Sequence, residues 1–296
     1  MAITAALVKE LREITSAGMM DCKKALTATD GDIDKAIDWL RQNGITKAAK
    51  KANRISAEGL SKVVVEGNKA VILEVNSETD FVAKNEHFLE MINKIATALL
   101  NSDAKTVEEA NNLTVDGTTV AELVINATAT IGEKISFRRF EIVEKSDNDT
   151  FGAYMHMGGK ISVLTLLTNT NNAEVAKNIA MQVCSMNPSY ITMSDITPET
   201  VEHETAVQTE LVKNDESLAN KPEKVLAGII SGRVNKTFKE QCLENQEFFL
   251  DSSMTCAQYL KNNGTAVAKF IRYQVGEGIE KREENFAEEV AKSMNV

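Results

Sequence analysis

Along the first 54 residues the apolar positions repeat at helical spacing. Leu7, Leu11 and Ile14 fall at i, i+4 and i+7, the period of one buried helical stripe, and Gly18 breaks the run. A second helix is expected to carry Met20, Cys22, Ala25 and Leu26. Asp30-Gly31-Asp32 then supplies turn and capping chemistry. A third helix places Ile33, Ile37 and Leu40 on one face, with Gly44 as its expected end. Three short helices enclose only a small core, so this unit is marginal by surface-to-volume scaling. The following Lys47 to Arg54 run, KAAKKANR, has no apolar stripe and reads as a basic linker.

From Ile55 the period changes. Lys62 to Glu66 and Ala70 to Val75 are β-branched runs separated by Glu66-Gly67-Asn68-Lys69, a hairpin signal. Helical segments follow around Phe81 to Leu100 and Val120 to Ile131, and Ile135 to Glu144 reads as a strand, completing a β-β-α-α-β unit. Two short matches recur in order. Val82-Ala83-Lys84-Asn85 returns 93 residues later as Val175 to Asn178, and Arg139 to Ile142 finds an echo 133 residues later in Arg272 to Val275. The pair points to an internal duplication with about 40 residues inserted in the second copy. That insertion falls between Ile196 and Phe238, where strand signals vanish. Pro222 suits a first helical turn, and Leu226, Ile230, Val234 and Phe238 recur every four residues. Asn214 to Lys221 would be the loop of a helical hairpin, whose apolar row needs cover from the parent core, a second copy of the chain or a partner. The predicted fold class is therefore α+β: a three-helix unit (1–54), a core subdomain (55–143), a second core subdomain (144–197 and 240–281) interrupted by the hairpin (198–239), and a C-terminal helical module (282–296).

Composition narrows the function classes. A net charge of −10 disfavours a groove for nucleic-acid phosphates, which collects Lys and Arg on one face. No stretch approaches 18 uncharged apolar residues, so no membrane span is expected. The opening residues lack the features of a secretory or organellar leader, so a cytoplasmic location is expected. The four cysteines, Cys22, Cys184, Cys242 and Cys256, lie far apart with no C-x-x-C pair and read as reduced, partly buried thiols. No phosphate-binding, dinucleotide, zincin or nucleophile-elbow motif occurs, and His87, His156 and His203 are widely separated. Neither an enzyme nor a cofactor or metal site is expected.

One stretch stands out. Asn76 to Asn85, NSETDFVAKN, follows an apolar strand and opens a helix that Ser77 or Thr79 would cap, with Asp80 near the positive N-terminal end. On pattern alone two readings stand side by side. Asp80 is helix-start chemistry and Phe81 a core residue, or the acid and the ring form a wedge presented to a partner.

Several runs closely resemble bacterial elongation factor Ts: SAGMMDCKKAL (Ser16 to Leu26), ETDFVAKN (Glu78 to Asn85), IGEKISFRR (Ile131 to Arg139), YMHMGGK (Tyr154 to Lys160) and FIRYQVGEGIEK (Phe270 to Lys281). The resemblance extends in order over nearly the whole chain, and it tips Phe81 toward the wedge. It implies a ubiquitin-associated-like (UBA-like) three-helix domain, two homologous core subdomains and an inserted hairpin. The implied partner is elongation factor Tu and the implied outcome is GDP release. By that resemblance Thr79, Asp80, Phe81 and Val82 form the element that presses on the GTPase near its Mg2+ and phosphate sites. Val8, Lys9, Arg12, Met19 and Met20 match contacts of the N-terminal domain, and Ile131 and Gly132 match a further contact loop. His156 matches a histidine beside a Gly-Gly turn, and Phe249-Leu250 an apolar pair that meets another partner domain. Lys134 stands where relatives often have Asn, Lys160 replaces a common Arg, and Phe249-Leu250 differ from Val-Met-like pairs. A hairpin-mediated dimer would give a two-plus-two assembly with the GTPase. The rival reading, a UBA-type adaptor without exchange activity, suits the first 54 residues but has no use for ETDFVAKN.

Overall fold

A computed structural model describes residues 3–15, 17–219 and 221–280. The predicted C-terminal helical module, 282–296, lies outside the described residues. Helix and strand are mixed, as the α+β class requires. Three helices come first: α1 (Ala5–Thr15), α2 (Met19–Ala28) and α3 (Ile33–Lys51). Then follow β1 (Glu58–Glu66), β2 (Lys69–Ser77), α4 (Glu86–Leu100), α5 (Val107–Asn111), the short pair β3 (Thr114–Val115) and β4 (Thr118–Thr119), α6 (Val120–Ile131) and β5 (Ser136–Glu144). The second half runs β6 (Thr150–His156), β7 (Ile161–Thr168), α7 (Ala173–Met186), α8 (Pro198–Lys213), α9 (Glu223–Gln241), β8 (Glu247–Phe248), β9 (Asp251–Thr255), α10 (Cys256–Asn262) and β10 (Ala266–Gln274).

The N-terminal helices differ from the expected pattern in two ways. In α1 the buried positions are Val8 and Leu11, whereas Ile14 is 57% exposed. The helix rolls so that Val8 and Leu11 meet Cys22, Ala25, Leu26 and Ala36, which turns Ile14 away from that cluster. In α3, Gly44 does not end the helix, and Lys47 to Lys51 form its last turns and not a linker. The reason is tertiary. A Cβ at Gly44 would sit 3.4 Å from Cβ of Ala129 in α6, so the small residue lets the two helices approach closely. Lys47 also pairs with Asp21 of α2 at 2.7 Å. The three-helix unit is thereby joined to the core along its longest helix.

Two three-stranded antiparallel sheets form the centre, ordered β1-β2-β5 and β10-β7-β6. In each, the second strand of the opening hairpin is the middle strand. Strand β2 is buried along almost its whole length because it serves two cores. Val71, Leu73 and Val75 face α4 and α6, packing with Phe88, Ile92, Ile95 and Leu99. Ala70 and Ile72 face the other sheet, packing with Phe151, Leu164 and Ile271. A third cluster lies between the second sheet, α7 and α10, around Val163, Leu167, Ile179 and Leu260. The four cysteines are buried unpaired thiols, and burial pushes Cys256 up to about 12, so it stays protonated.

Three details depart from the β-β-α-α-β expectation. The segment between α4 and α6 holds the extra α5 and the β3–β4 pair. The recurring four-letter match does not fall on equivalent positions: Asn85 caps α4, whereas Asn178 lies inside α7, whose cap is Asn172. Helices α8 and α9 form the hairpin, whose apolar row is only partly covered, with Leu226 and Ile230 half-buried. Val212, Val234 and Phe238 are covered, while Val201, Val207, Leu211 and Val225 remain exposed.

A polar hub fastens the sheets. The fully buried Glu74 of β2 accepts from Arg138 at 3.0 Å, Arg139 at 2.5 Å and Asn76 at 3.0 Å, and from the backbone N–H of Gly276 at 2.9 Å, just beyond β10. Gly276 has φ +74°, and a Cβ there would lie 2.0 Å from the carbonyl oxygen of Ala57, so only glycine brings its N–H to the carboxylate. Arg139 also stacks over Tyr273 at 4.2 Å. Burial pushes the Glu74 carboxyl up, but the bonds from Gly276, Asn76 and Arg139 outweigh it and hold the group below its ordinary value of 4.5. A depressed folded-state value contributes stability that is complete above the ordinary value and is lost as pH falls through the folded-state one. Glu74→Gln is therefore expected to cost about 2 kcal/mol near neutrality, from loss of charge-assisted bonds. The variant should also lose less stability than the parent as pH falls below about 4.5, measured by urea unfolding across pH.

Candidate functional site

The distinctive NSETDFVAKN run occupies the end of β2 and the turn beyond it. The β2–β5 ladder stops at the Asn76↔Ser136 pair. Past that point side chains replace backbone pairing. The Thr79 N–H donates to Glu133 Oε2 at 2.9 Å, and its hydroxyl donates to Glu133 Oε1 at 2.6 Å. In the opposite sense, Lys134 N–H donates to Glu78 Oε1 at 2.6 Å. Ser77 Oγ donates to the carbonyl of Thr79 at 2.8 Å, closing the turn from within. Two strands' continuations are thus tied together by a reciprocal pair of carboxylates.

The consequence is a fixed and exposed tip. Asp80 is exposed, and Phe81 is 81% exposed. Val82, next in line, is buried in the core under α4. The helix does not begin at Phe81 as the sequence suggests. Residues Val82–Lys84 make a single 3-10 turn, and Asn85 caps α4 by accepting from the N–H groups of His87 and Phe88. Neither Ser77 nor Thr79 is a cap, because their hydroxyls are committed to the turn and to Glu133. A large ring left in water with its neighbours anchored is the profile of an interaction residue, since folding alone would bury it.

The predicted positions of the first half divide into three groups. Val82 and Val8 are buried, so their side chains support the surface without forming it. Lys9, Arg12, Met19 and Met20 are exposed, the two methionines at 59% and 63%, and lie on one small helical unit. Ile131 is half-buried against the first core, and Gly132 ends α6 in the left-handed region at φ +89°, directly before Glu133. Ile131-Gly132 and the Asp80-Phe81 tip are therefore parts of one connected structure. Lys51, from the last turn of α3, donates to the Gly132 carbonyl at 2.5 Å, and Arg54 reaches Glu78 at 3.2 Å, so the N-terminal unit joins it as well.

On the second half, His156 ends β6 in the open, sharing a hydrogen bond with the Tyr154 hydroxyl at 3.1 Å through Nδ1. Met157 follows it, 74% exposed, at the corner of the turn into β7. Phe249 and Leu250 form the exposed turn between β8 and β9. Buried Gln182 of α7 accepts from the Phe249 N–H at 2.9 Å and donates to the Glu247 carbonyl at 3.1 Å, holding that turn much as Glu133 holds the other. Glu78, Glu133, Gln182 and Met157 escaped the sequence reading. Glu133 stands beside Ile131-Gly132 in the quoted IGEK run, but only the fold brings it across to Thr79.

Among the described residues, no group of three or more His, Cys, Asp and Glu side chains is placed to hold a metal ion. No described helix is long and apolar enough to cross a membrane. The arrangement offers exposed apolar side chains on braced turns, which is recognition chemistry.

The family model described as Elongation factor TS matches residues 78–277, a span that includes the crossed Glu78 and Glu133 bonds, the tip, β5 and the whole second sheet. A protein of Acholeplasma laidlawii (strain PG-8A) named Elongation factor Ts is 52% identical over 296 residues, covering 100% of each chain. With a match over more than half its length and that identity from end to end, the chain belongs to the elongation factor Ts family.

Proposed function

We propose that the chain is a guanine-nucleotide exchange factor that binds elongation factor Tu carrying GDP and promotes release of the nucleotide during translation elongation, in the cytoplasm. The observation that carries this reading is the exposed Phe81 on a braced turn. An exchange factor breaks no covalent bond. It binds the nucleotide-free GTPase better than the nucleotide-bound form, and by reciprocity the nucleotide is weakened by the same factor. Weakening GDP ~1,000-fold takes roughly 4 kcal/mol of differential binding. A buried aromatic anchor supplies about 2 to 4 kcal/mol, so one wedge with a supporting surface suffices. Mg2+ holds phosphate oxygens in near-ideal octahedral geometry, so a small displacement of its surroundings by Asp80 and Phe81 loosens the nucleotide.

Roles for the other positions follow from exposure. Lys9, Arg12, Met19 and Met20 form the contact face of the N-terminal unit, which we read as UBA-like. Gly132, His156 with its neighbour Met157, and the Phe249-Leu250 turn extend the surface along the molecule. The common strand order of the two sheets supports reading them as two copies of one subdomain, with the α8–α9 hairpin inserted in the second.

Phe81→Ala should slow GDP release at least ~10-fold while leaving circular dichroism and melting temperature unchanged, because an exposed ring contributes little to folding. Unchanged release in the folded variant would remove Phe81 from the mechanism. Replacing Met19 and Met20 together by Ser should raise the concentration needed for half-maximal release about 10-fold, with thermal stability preserved, since both side chains lie in water. A titration of release rate against factor concentration measures this.

A further inference from the structure

We infer that Glu133 is a positioning residue of the exchange reaction, fixing the direction in which Phe81 points. This rests on the reading of Phe81 as the wedge. Residues 78–82 lie outside the sheet, so their backbone is determined by whatever replaces the ladder. Thr79 offers one N–H and one hydroxyl, and a single carboxylate takes both, at 2.9 and 2.6 Å. Two bonds to one planar group fix the residue in orientation as well as position. Thr79 stands two residues before Phe81, and buried Val82 stands one after it. The tip is therefore pinned on both sides, and Glu133 is the pin on the side that has no core contact.

Geometry also says why a carboxylate serves here. Gly132, left-handed at φ +89°, turns the chain out of α6 so that Glu133 faces β2's continuation. Glutamine in its place would accept one of the two bonds and set its NH2 against the other donor. The partner bond, Lys134 N–H to Glu78 at 2.6 Å, keeps the two segments in register while Glu133 sets the aim. Preorganisation of this kind raises the yield of bound complexes that go on to release nucleotide, and affects encounter little.

The test uses the full chain and elongation factor Tu loaded with fluorescent GDP, for the parent, Glu133→Ala, Thr79→Val, Phe81→Ala and the Glu133→Ala/Phe81→Ala double variant. Glu133→Ala should lower the maximal release rate about 10-fold while shifting the half-saturating concentration less than about threefold. Thr79→Val, which keeps the N–H donor and loses only the hydroxyl donor, should lower the maximal rate in the same direction by a smaller factor. The double variant should be no more than about twofold slower than Phe81→Ala, because a pin has nothing to aim once the ring is gone. Hydrogen exchange of the Thr79 amide should accelerate in Glu133→Ala with the β-strand amides still protected. A normal maximal rate in Glu133→Ala, or losses that multiply in the double variant, overturns the inference while leaving the exchange reading intact. Normal release by Phe81→Ala removes the ring from the mechanism and overturns the inference with it, whereas absence of release by the parent chain overturns the exchange reading.

Discussion

Where the β2–β5 ladder ends at Asn76 and Ser136, backbone pairing gives way to the crossed bonds of Glu78 and Glu133, and the whole arrangement of the site depends on that exchange of roles. A strand continuation with unpaired backbone would otherwise fray into solvent. A phenylalanine carried on a frayed segment would either fold back onto apolar surface or lose the entropy of ordering when a partner arrives. Tying the two continuations to each other removes both outcomes. It leaves the ring 81% exposed with its neighbours anchored.

The same strand transmits the alignment further. Alternate residues of β2 serve the core beneath α4 and the interface between sheets, and Glu74 sits on the interface side two residues before the ladder ends. The Glu74 carboxylate is fully buried and bonded at both oxygens while its two arginines stay partly exposed, which makes the hub a device for one relative placement of the sheets more than a source of net stability. Because Gly276 donates into it from beyond β10, the second sheet's last strand and β2 share one reference point. Phe81, carried just past β2, and Met157, in the turn between β6 and β7, thus stand on two sheets joined through one buried carboxylate.

Much of this was legible in the sequence, and the failures are instructive. The β1–β2 hairpin, helix α6 and strand β5 follow from β-branched runs, turn chemistry and helical period, signals local enough to read directly. Glycine near a helix end ordinarily marks a stop, so the pattern alone cuts α3 short, and the close approach of α6 gives Gly44 its tertiary reason. The helical period fits Ile14 as well as it fits Val8; the roll of α1 is decided by Cys22 and Leu26, which lie on another helix. Of the site, the NSETDFVAKN run advertised itself, but pattern alone could not tell a core phenylalanine from an exposed one. Glu133 was unreadable for a simpler reason. It lies 54 residues from Thr79, and no local rule relates the two.

The central claim is thermodynamic: the chain acts by preferring the nucleotide-free GTPase. The most direct measurement is the dissociation constant of the chain from elongation factor Tu by calorimetry, once with the GTPase stripped of nucleotide and once with saturating GDP and Mg2+. The account predicts a preference for the stripped form on the order of 1,000-fold, matched by an equal loss of GDP affinity when the chain is saturating. Equal affinity for the two forms would contradict it, however tight the binding.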